Sequence, residues 1–440
     1  MELKRKIKNI FNNSDFNELL SKGLSFLLIR IVGTLLSFVF TIYVTNKFGG
    51  NSWGLIALGF SIFTILSIFG RLGLDSNLVK FYSQDKNLND TGVFYRSWVK
   101  AFLFSSLLSF IIHIYDETLV NKVFLEPKPE LLPYLDWLLP SIPFWSTVFI
   151  SAAIMRARKM NRAFAFYTLV GRFGILLLIL LVLAQESSVF VIKVHFFGLV
   201  CLSLISLIHS SIVLNKPSFK TNQNSWLFVK ESFPMMLSSS ILVLMSWMDT
   251  FVMGVFQDES EVGIYSVAVK VTTLATFSLQ AINSILAPKI AKSYAEGEVD
   301  SYSKLIKLST KLNFLITIIV VGLIVTFSPL LLGLFGNGFL AGTSVLIILC
   351  VGQLINSMSG SVGTVMQMTG KQNTFQNLMV LALFINLVLT LCLTPIYGGN
   401  GAAISTVVSM IFWNITGAAY LKNKGIQTYF NPFKDFKFNF

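Results

Sequence analysis

The sequence predicts an all-α integral membrane protein: twelve transmembrane helices in two parallel six-helix bundles around a central cleft, with both termini cytoplasmic. Three observations carry that expectation. The composition is too apolar for a water-soluble domain, twelve apolar windows have spanning length, and a weak repeat relates the two halves.

Of the 440 residues, 54% are hydrophobic, 41 are Phe and only 12% are charged, with a mean hydropathy of +0.71. Soluble domains carry about 25% charged residues. A bilayer crossing takes roughly 20 predominantly apolar residues. Such windows lie near 23–45, 52–70, 97–114, 134–155, 164–184, 189–213, 233–256, 262–287, 312–335, 342–367, 376–396 and 401–420. The first is too long for a secretory signal, and no small-residue cleavage site interrupts it, so the N-terminal segment is expected to stay attached. Cys201, Cys350 and Cys392 all fall within apolar windows, where a free thiol behaves as a small hydrophobe.

A formal charge of +13 raises nucleic acid as a partner, but the distribution of the cations argues against it. Cutting the chain at the windows, with Lys100 and Lys193 at window ends counted with the adjoining segments, places 27 of the 34 Lys and Arg in alternate segments beginning with the N-terminus, 4 in the opposite segments and 3 inside windows. Cytoplasmic loops collect Lys and Arg, so this asymmetry puts both termini inside. The acidic turn "DESE" (258–261) then faces out. The basic, partly amphipathic head suits the anionic inner leaflet, making membrane lipids its partner.

The halves resemble each other. "FGGNSWGLIALGFSIFTIL" (48–66) parallels "FQDESEVGIYSVAVKVTTL" (256–274), with Gly54 matching Gly263 at an offset of 209 residues. "MRARKMN" (155–161) parallels "MQMTGKQN" (366–373), with Lys159 matching Lys371 at 212. A six-span unit used twice in the same orientation is one of the repeat arrangements of transporters. The expected organisation is a cytoplasmic amphipathic segment (1–22), an N-terminal bundle (23–214), a cytoplasmic linker (215–232), a C-terminal bundle (233–421) and a cytoplasmic tail (422–440). No segment outside the windows is large enough for a catalytic domain, so an enzyme is not expected. There is no phosphate-binding loop for ATP.

Ionisable side chains at membrane depth are costly and mark functional surfaces. Arg30 shares a helical face with Thr34, Ser37 and Thr41, and Lys270 with Ser266, Thr273 and Gln280, although Phe277 interrupts that second row. Asp249 has Ser239 and Ser246 on its side. Asp249 and Lys270 each lie about 12 Å from the outer turn at 1.5 Å per residue. Their equal depth leaves an ion pair and a cation site at Asp249 as alternatives. Arg172, in "VGRFGILLL", either snorkels to the inner interface or lines the cleft. Arg71 and Lys80 stand at the inner mouth, where an anionic headgroup arrives first or a solvated loop simply ends. His113, His195 and His209 show no metal spacing, and no metal or other cofactor is expected beyond a coupling ion.

The stretch "NLVLTLCLTPIYGGNGAAISTVVS" (386–409) gathers Pro, Gly and small residues at the turn between the last two windows. Pro and Gly suit a tight turn, and Gly401, Ala402 and Ala403 let the next helix pack closely. It resembles the pattern N-x-x-L-x-x-x-L-x-P-x-Y-G-x-x-G-A-A-I-x-T of the Wzx-type polysaccharide flippases, in the multidrug/oligosaccharidyl-lipid/polysaccharide (MOP) exporter superfamily. "SWMDTFVMGVFQDESEVGIYSVAVKV", "AINSILAPKIAKSYAEG" and "FGGNSWGLIALGFSIFTILSIFGRLGL" extend the resemblance over most of the chain. It implies a multi-pass protein of the bacterial inner membrane. Such a flippase moves undecaprenyl-diphosphate-linked oligosaccharide repeat units outward by alternating access, for O-antigen or another surface polysaccharide, alongside other polysaccharide assembly proteins. Arg30 and Lys270, with Arg172 and Arg71, would meet the diphosphate. Coupling would be to Na+ or H+, and the superfamily's sodium site maps onto Asp249, Asn386, Thr390 and Thr406, with Thr390 standing where a second carboxylate would strengthen it. The alternatives are a multidrug antiporter of the same fold, which would favour an acidic cleft, and a membrane polysaccharide polymerase. A polymerase would carry a larger outer loop than 115–133.

Overall fold

Hydrocarbon offers no water to bond backbone amides, so a chain this apolar must satisfy them within its own helices. The computed structural model is accordingly helical, without a strand among the described residues. These are 14–84, 87, 89–183, 187–215 and 217–429, with side chains from Leu28 onward except at 238–239 and 284–285. Residues 1–13 of the expected N-terminal segment and 430–440 of the tail lie outside them.

In chain order the helices are α1 Ser14–Gly70, α2 Leu74–Tyr82, α3 Thr91–Ile114, α4 Asp116–Lys122, α5 Leu132–Leu138, α6 Ile142–Ala157, α7 Asn161–Ala165, α8 Gly171–Val182 and α9 Ser188–Leu214. There follow α10 Ser225–Phe256, α11 Glu259–Thr272, α12 Phe277–Ala295, α13 Val299–Thr326, α14 Ser328–Gly333, α15 Thr343–Ser359, α16 Val362–Met368 and α17 Gln372–Asn423. Among the described residues, 8 helical stretches are long and apolar enough to cross a membrane. The number is 10 if two bent pairs, Pro129–Leu138 with Ile142–Ala157 and Ser225–Leu237 with Ser240–Phe256, each count as one crossing.

Two stretches exceed one crossing. Leu28–Gly70 has 43 residues and Gln372–Asn423 has 52, or about 65 and 78 Å if straight. Each is broken by a glycine in a conformation that no helix contains, Gly49 at φ 82, ψ 178 and Gly398 at φ 53, ψ −135. Both breaks fall between adjacent apolar windows of the sequence.

The chain forms two compact units: 1–41, 63–117 and 130–239 make the first, and 42–62, 118–129 and 240–440 the second. The first has a core of Leu74, Leu78, Tyr82, Phe94, Ile150 and Ile154, and the second one of Leu286, Ile290, Ile306, Val362, Met366 and Leu421. Outside the cores the usual rule inverts: Leu178, Leu181 and Val182 are 68%, 70% and 80% exposed. Apolar surface of this kind suits lipid, not water.

Two local differences from the sequence reading have plain causes. The seventh window begins at 233, yet α10 starts at Ser225. Its first turns bury Phe228 and Ser232, and Asn77 donates to the Phe228 carbonyl (3.1 Å) and Ser232 Oγ (3.0 Å). The second repeat match is displaced by one residue. After α6, Met160 N donates to Met155 O at 2.8 Å; after α16, Lys371 N donates to Met366 O at 2.8 Å. Lys159 (φ 60) and Gly370 (φ 75) take the left-handed position before each donor. Both are helix-ending turns of the same design, which pairs Lys159 with Gly370 instead of Lys371.

Candidate functional site

The break at Gly398 folds α17 back on itself. A Cβ at Gly401 would stand 2.3 Å from Leu393 O, so the two arms touch backbone to backbone. This return brings distant residues together. Thr390 and Thr406 would be about 24 Å apart on a straight helix, yet both reach the carboxylate of Asp249 on α10. Thr390 Oγ1 donates to Asp249 Oδ1 at 3.0 Å, and Thr406 Oγ1 donates to Oδ2. Each hydroxyl also lies near the carbonyl four residues back, Asn386 O and Ala402 O, which holds its rotamer. From α11, the Tyr265 hydroxyl approaches Oδ2 at 3.4 Å.

This carboxylate is buried, at 2% exposure, and Asn386 is at 0%. The Asn386 amide stands beside Asp249, and its oxygen has no hydrogen-bond partner. A buried amide oxygen without a donor is a free ligand. One carboxylate, three hydroxyls and an amide oxygen make an all-oxygen donor set of the kind hard cations take. With a single negative charge, the set is neutralised by one monovalent ion or one proton. The residues present therefore fit a sodium-class cation.

Lys270 Nζ lies 5.6 Å from the Trp53 ring centroid, and Trp53 Nε1 donates to Ser266 Oγ at 2.8 Å, engaging the residue one turn before Lys270. Thr34 and Thr41, on the Arg30 face, donate to the carbonyls of Arg30 (3.0 Å) and Ser37 (2.9 Å). Ser246 is exposed and donates to Leu242 O, while the Ser239 side chain lies outside those described. Arg71 is spent locally: it bonds Ser67 O at 3.0 Å, pairs with Asp75 at 3.3 Å and stacks 4.0 Å from the Phe149 centroid. Arg172 stays within the first unit, 5.2–5.6 Å from the ring centroids of Phe63, Trp145 and Phe173. Its Nε donates to His195 Nε2 at 3.0 Å.

Sequence reasoning missed Tyr265, which reads as an ordinary core aromatic in "VGIYSVAV", and the His195 partner of Arg172. It also missed the approach of His113, Asp116 and Asp136, whose ligand atoms lie within 4.8 Å of one another. His113 Nδ1 already lies 2.9 Å from Asp116 Oδ2 at the end of α3.

The profile of the family described as "Polysaccharide biosynthesis protein" matches residues 19–294, and that of MatE matches 234–392. The chain is 29% identical over 214 residues to the "Probable low-salt glycan biosynthesis flippase Agl15" of Haloferax volcanii, covering 48% of this chain and 45% of that one. It is 28% identical over 189 residues to the "Probable flippase AglR" of the same archaeon, covering 42% and 39%. The match thus spans less than half the length of each relative. Among solved structures, the lipid II flippase MurJ in an inward closed conformation aligns with TM-score 0.73 at 17% identity, over 92% of this chain and 87% of that one. An inward-facing multidrug resistance MATE family transporter of the MOP superfamily aligns with TM-score 0.71 at 17% identity, over 91% and 98%. The fold is shared with both, and the chain belongs to the polysaccharide biosynthesis protein family of the MOP exporter superfamily.

Proposed function

We propose that the chain is a flippase for lipid-linked glycans. It moves undecaprenyl-diphosphate-linked oligosaccharide repeat units from the cytoplasmic to the periplasmic leaflet of a bacterial inner membrane, by alternating access, for O-antigen or another surface polysaccharide. The observation that carries this reading is the polysaccharide-family match over 19–294 in a chain whose buried Asp249 sits among oxygen donors from both arms of α17. The first indicates cargo and the second a means of drawing on an ion gradient. The two flippase relatives, both archaeal, support the glycan, and the bacterial setting rests on the resemblance of the hairpin and span motifs.

In this reading the two glycine-broken helices each cross twice, making twelve crossings. An even number returns the C-terminus to the side of the N-terminus, and the Lys/Arg asymmetry makes that side cytoplasmic. The halves 23–214 and 233–421 each contribute six crossings. Arg30 and Lys270 each contact diphosphate during the cycle, because phosphate recognition inside a bilayer needs fixed cations. Arg71 and Arg172, engaged within the first unit, are the further candidates to meet the diphosphate. Na+ or H+ at Asp249 biases one conformation over the other, and transport follows because the two states differ in cation affinity.

The MatE match over 234–392 favours a second reading, a cation-coupled antiporter of lipophilic cations. Its weakness is electrostatic: Arg30, Arg172 and Lys270 outnumber Asp249. Deletion of the gene followed by lipid-linked glycan analysis separates the two. The flippase predicts lipid-linked repeat units trapped on the cytoplasmic leaflet, released by the wild-type gene. An unchanged lipid-linked glycan pool with heightened sensitivity to lipophilic cations would replace it with the antiporter.

A further inference from the structure

Where Gly398 interrupts α17, the turn does not close against α11. A cavity of about 410 Å³ remains, large beside the roughly 30 Å³ that a water takes in the liquid. Its walls are largely polar. Gln257 Nε2 donates to Thr394 O at 2.9 Å, and Ser344 Oγ donates to Asn400 Oδ1 at 2.8 Å, so two sides are tied to α17. Among the described residues that line it, Glu261 alone carries a carboxyl group. A Cβ on Gly398 would fall 2.9 Å from Glu261 Oε2. Glycine is therefore required there twice over, by the positive φ and by the carboxylate it admits.

Tyr265 forms the inner wall. It lies one turn beyond Glu261 on the same face of α11, is 1% exposed, and lines the cavity while its hydroxyl points to Asp249 at 3.4 Å. That distance exceeds the ~2.5–3.0 Å of a well-made O–H···O bond, so the contact is weak and easily exchanged. Glu261, Tyr265 and Asp249 thus form a line from the cavity to the buried carboxylate, with the Asn386 amide beside its end. We propose that this cavity is the entry vestibule through which a small monovalent cation reaches Asp249, with Glu261 as the recruiting anion. The inference rests on the reading of Asp249 as a cation site and adds the route to it.

The test is gradient-driven transport by the full chain in proteoliposomes, with sodium and then protons varied on each side in turn, for wild type, Glu261→Gln and Asp249→Asn. A single carboxylate in a confined polar mouth concentrates cations, so Glu261→Gln should raise the half-saturating cation concentration between about three- and tenfold, with the maximal rate kept. It should do so from one side only. Asp249→Asn should lose cation dependence altogether. If Asp249→Asn loses it and Glu261→Gln leaves half-saturation unchanged, the vestibule is overturned and the Asp249 site stands. If Asp249→Asn keeps it, both fall. A second measurement does not depend on the Glu261 variant folding. With Cys201, Cys350 and Cys392 replaced, a Ser344→Cys thiol should react several-fold faster with a cationic thiosulfonate than with an anionic one of similar size, after correction for their rates with free thiol. Equal corrected rates would overturn the proposal.

Discussion

Gly54 and Gly263 pack backbone on backbone: a Cβ on Gly263 would stand 3.3 Å from the Gly54 nitrogen, and one on Gly54 would fall 1.7 Å from Glu259 O. These two glycines head matching helices in the sequence repeat. Because the atoms in the way are backbone, no rotamer change relieves them. Gly54→Ala and Gly263→Ala should each cost about 1–3 kcal/mol by overpacking. Gly322→Ala, with nothing within 4 Å, should be neutral or slightly stabilising. Melting midpoints of the detergent-purified protein check this; a Gly54→Ala midpoint equal to wild type would show that the helices part without cost.

The Asp249 carboxylate is taken up by hydroxyls, while Lys270 lies over Trp53. Asp249→Asn should therefore reach the membrane at normal levels yet lose its response to an imposed sodium or proton gradient. Adding Lys270→Gln should rescue nothing. Removing one member of a buried ion pair costs about 3–5 kcal/mol and removing both can be neutral. Low levels of Asp249→Asn that Lys270→Gln restores would thus show that the two residues pair. Thr406→Val removes a donor to a charged group, worth about 1.5–3 kcal/mol, and should weaken cation binding at least about tenfold.

Lys159 adopts the left-handed conformation that Gly370 takes in the equivalent turn. A side chain there costs roughly 1–2 kcal/mol. Lys159→Gly should raise the melting midpoint and Gly370→Lys should lower it, with transport unchanged in the first. No shift from Lys159→Gly would mean that the lysine side chain makes contacts that offset the strain.

Arg30 and Arg172 should respond differently to truncation. Arg172 sits among three aromatic rings and bonds His195, so Arg172→Ala should lower membrane levels and thermal stability by about 2 kcal/mol or more, the scale of a desolvated cation–π contact. Arg30→Ala should leave levels near normal and abolish complementation, with Arg30→Lys keeping part of it. Full activity of Arg30→Ala would remove it from the mechanism.

Much of the fold was legible because the bilayer reduces it to length and apolarity. The Gly49 and Gly398 breaks fall where the windows part, and the short helix α2 lies between the second and third windows. Less was legible where packing decides. The early start of α10 depends on Phe228 and Ser232 meeting α2, a contact no periodicity announces. The turn register slipped by one because Lys159 takes a conformation usually left to glycine. At the site, the oxygen donors on α17 came from resemblance, whereas Tyr265 is polar only at its tip and looks like core. Arg172 was visible as a buried charge, but two of its rings, Phe63 and Trp145, and His195 come from three other helices and are joined only by the fold.

The central claim is lipid-linked glycan translocation, and reconstitution tests it most directly. The purified protein is placed in liposomes with a fluorescent polyprenyl-diphosphate oligosaccharide, and an impermeant reagent that destroys the headgroup label is added outside. Protein-free vesicles should protect about half of the label, the inner-leaflet share. Vesicles containing the wild-type protein and an imposed cation gradient should expose nearly all of it within minutes, whereas those containing Asp249→Asn should behave like protein-free ones. Protection of the same half by active, correctly folded wild-type protein under sodium and proton gradients of either direction would contradict the account.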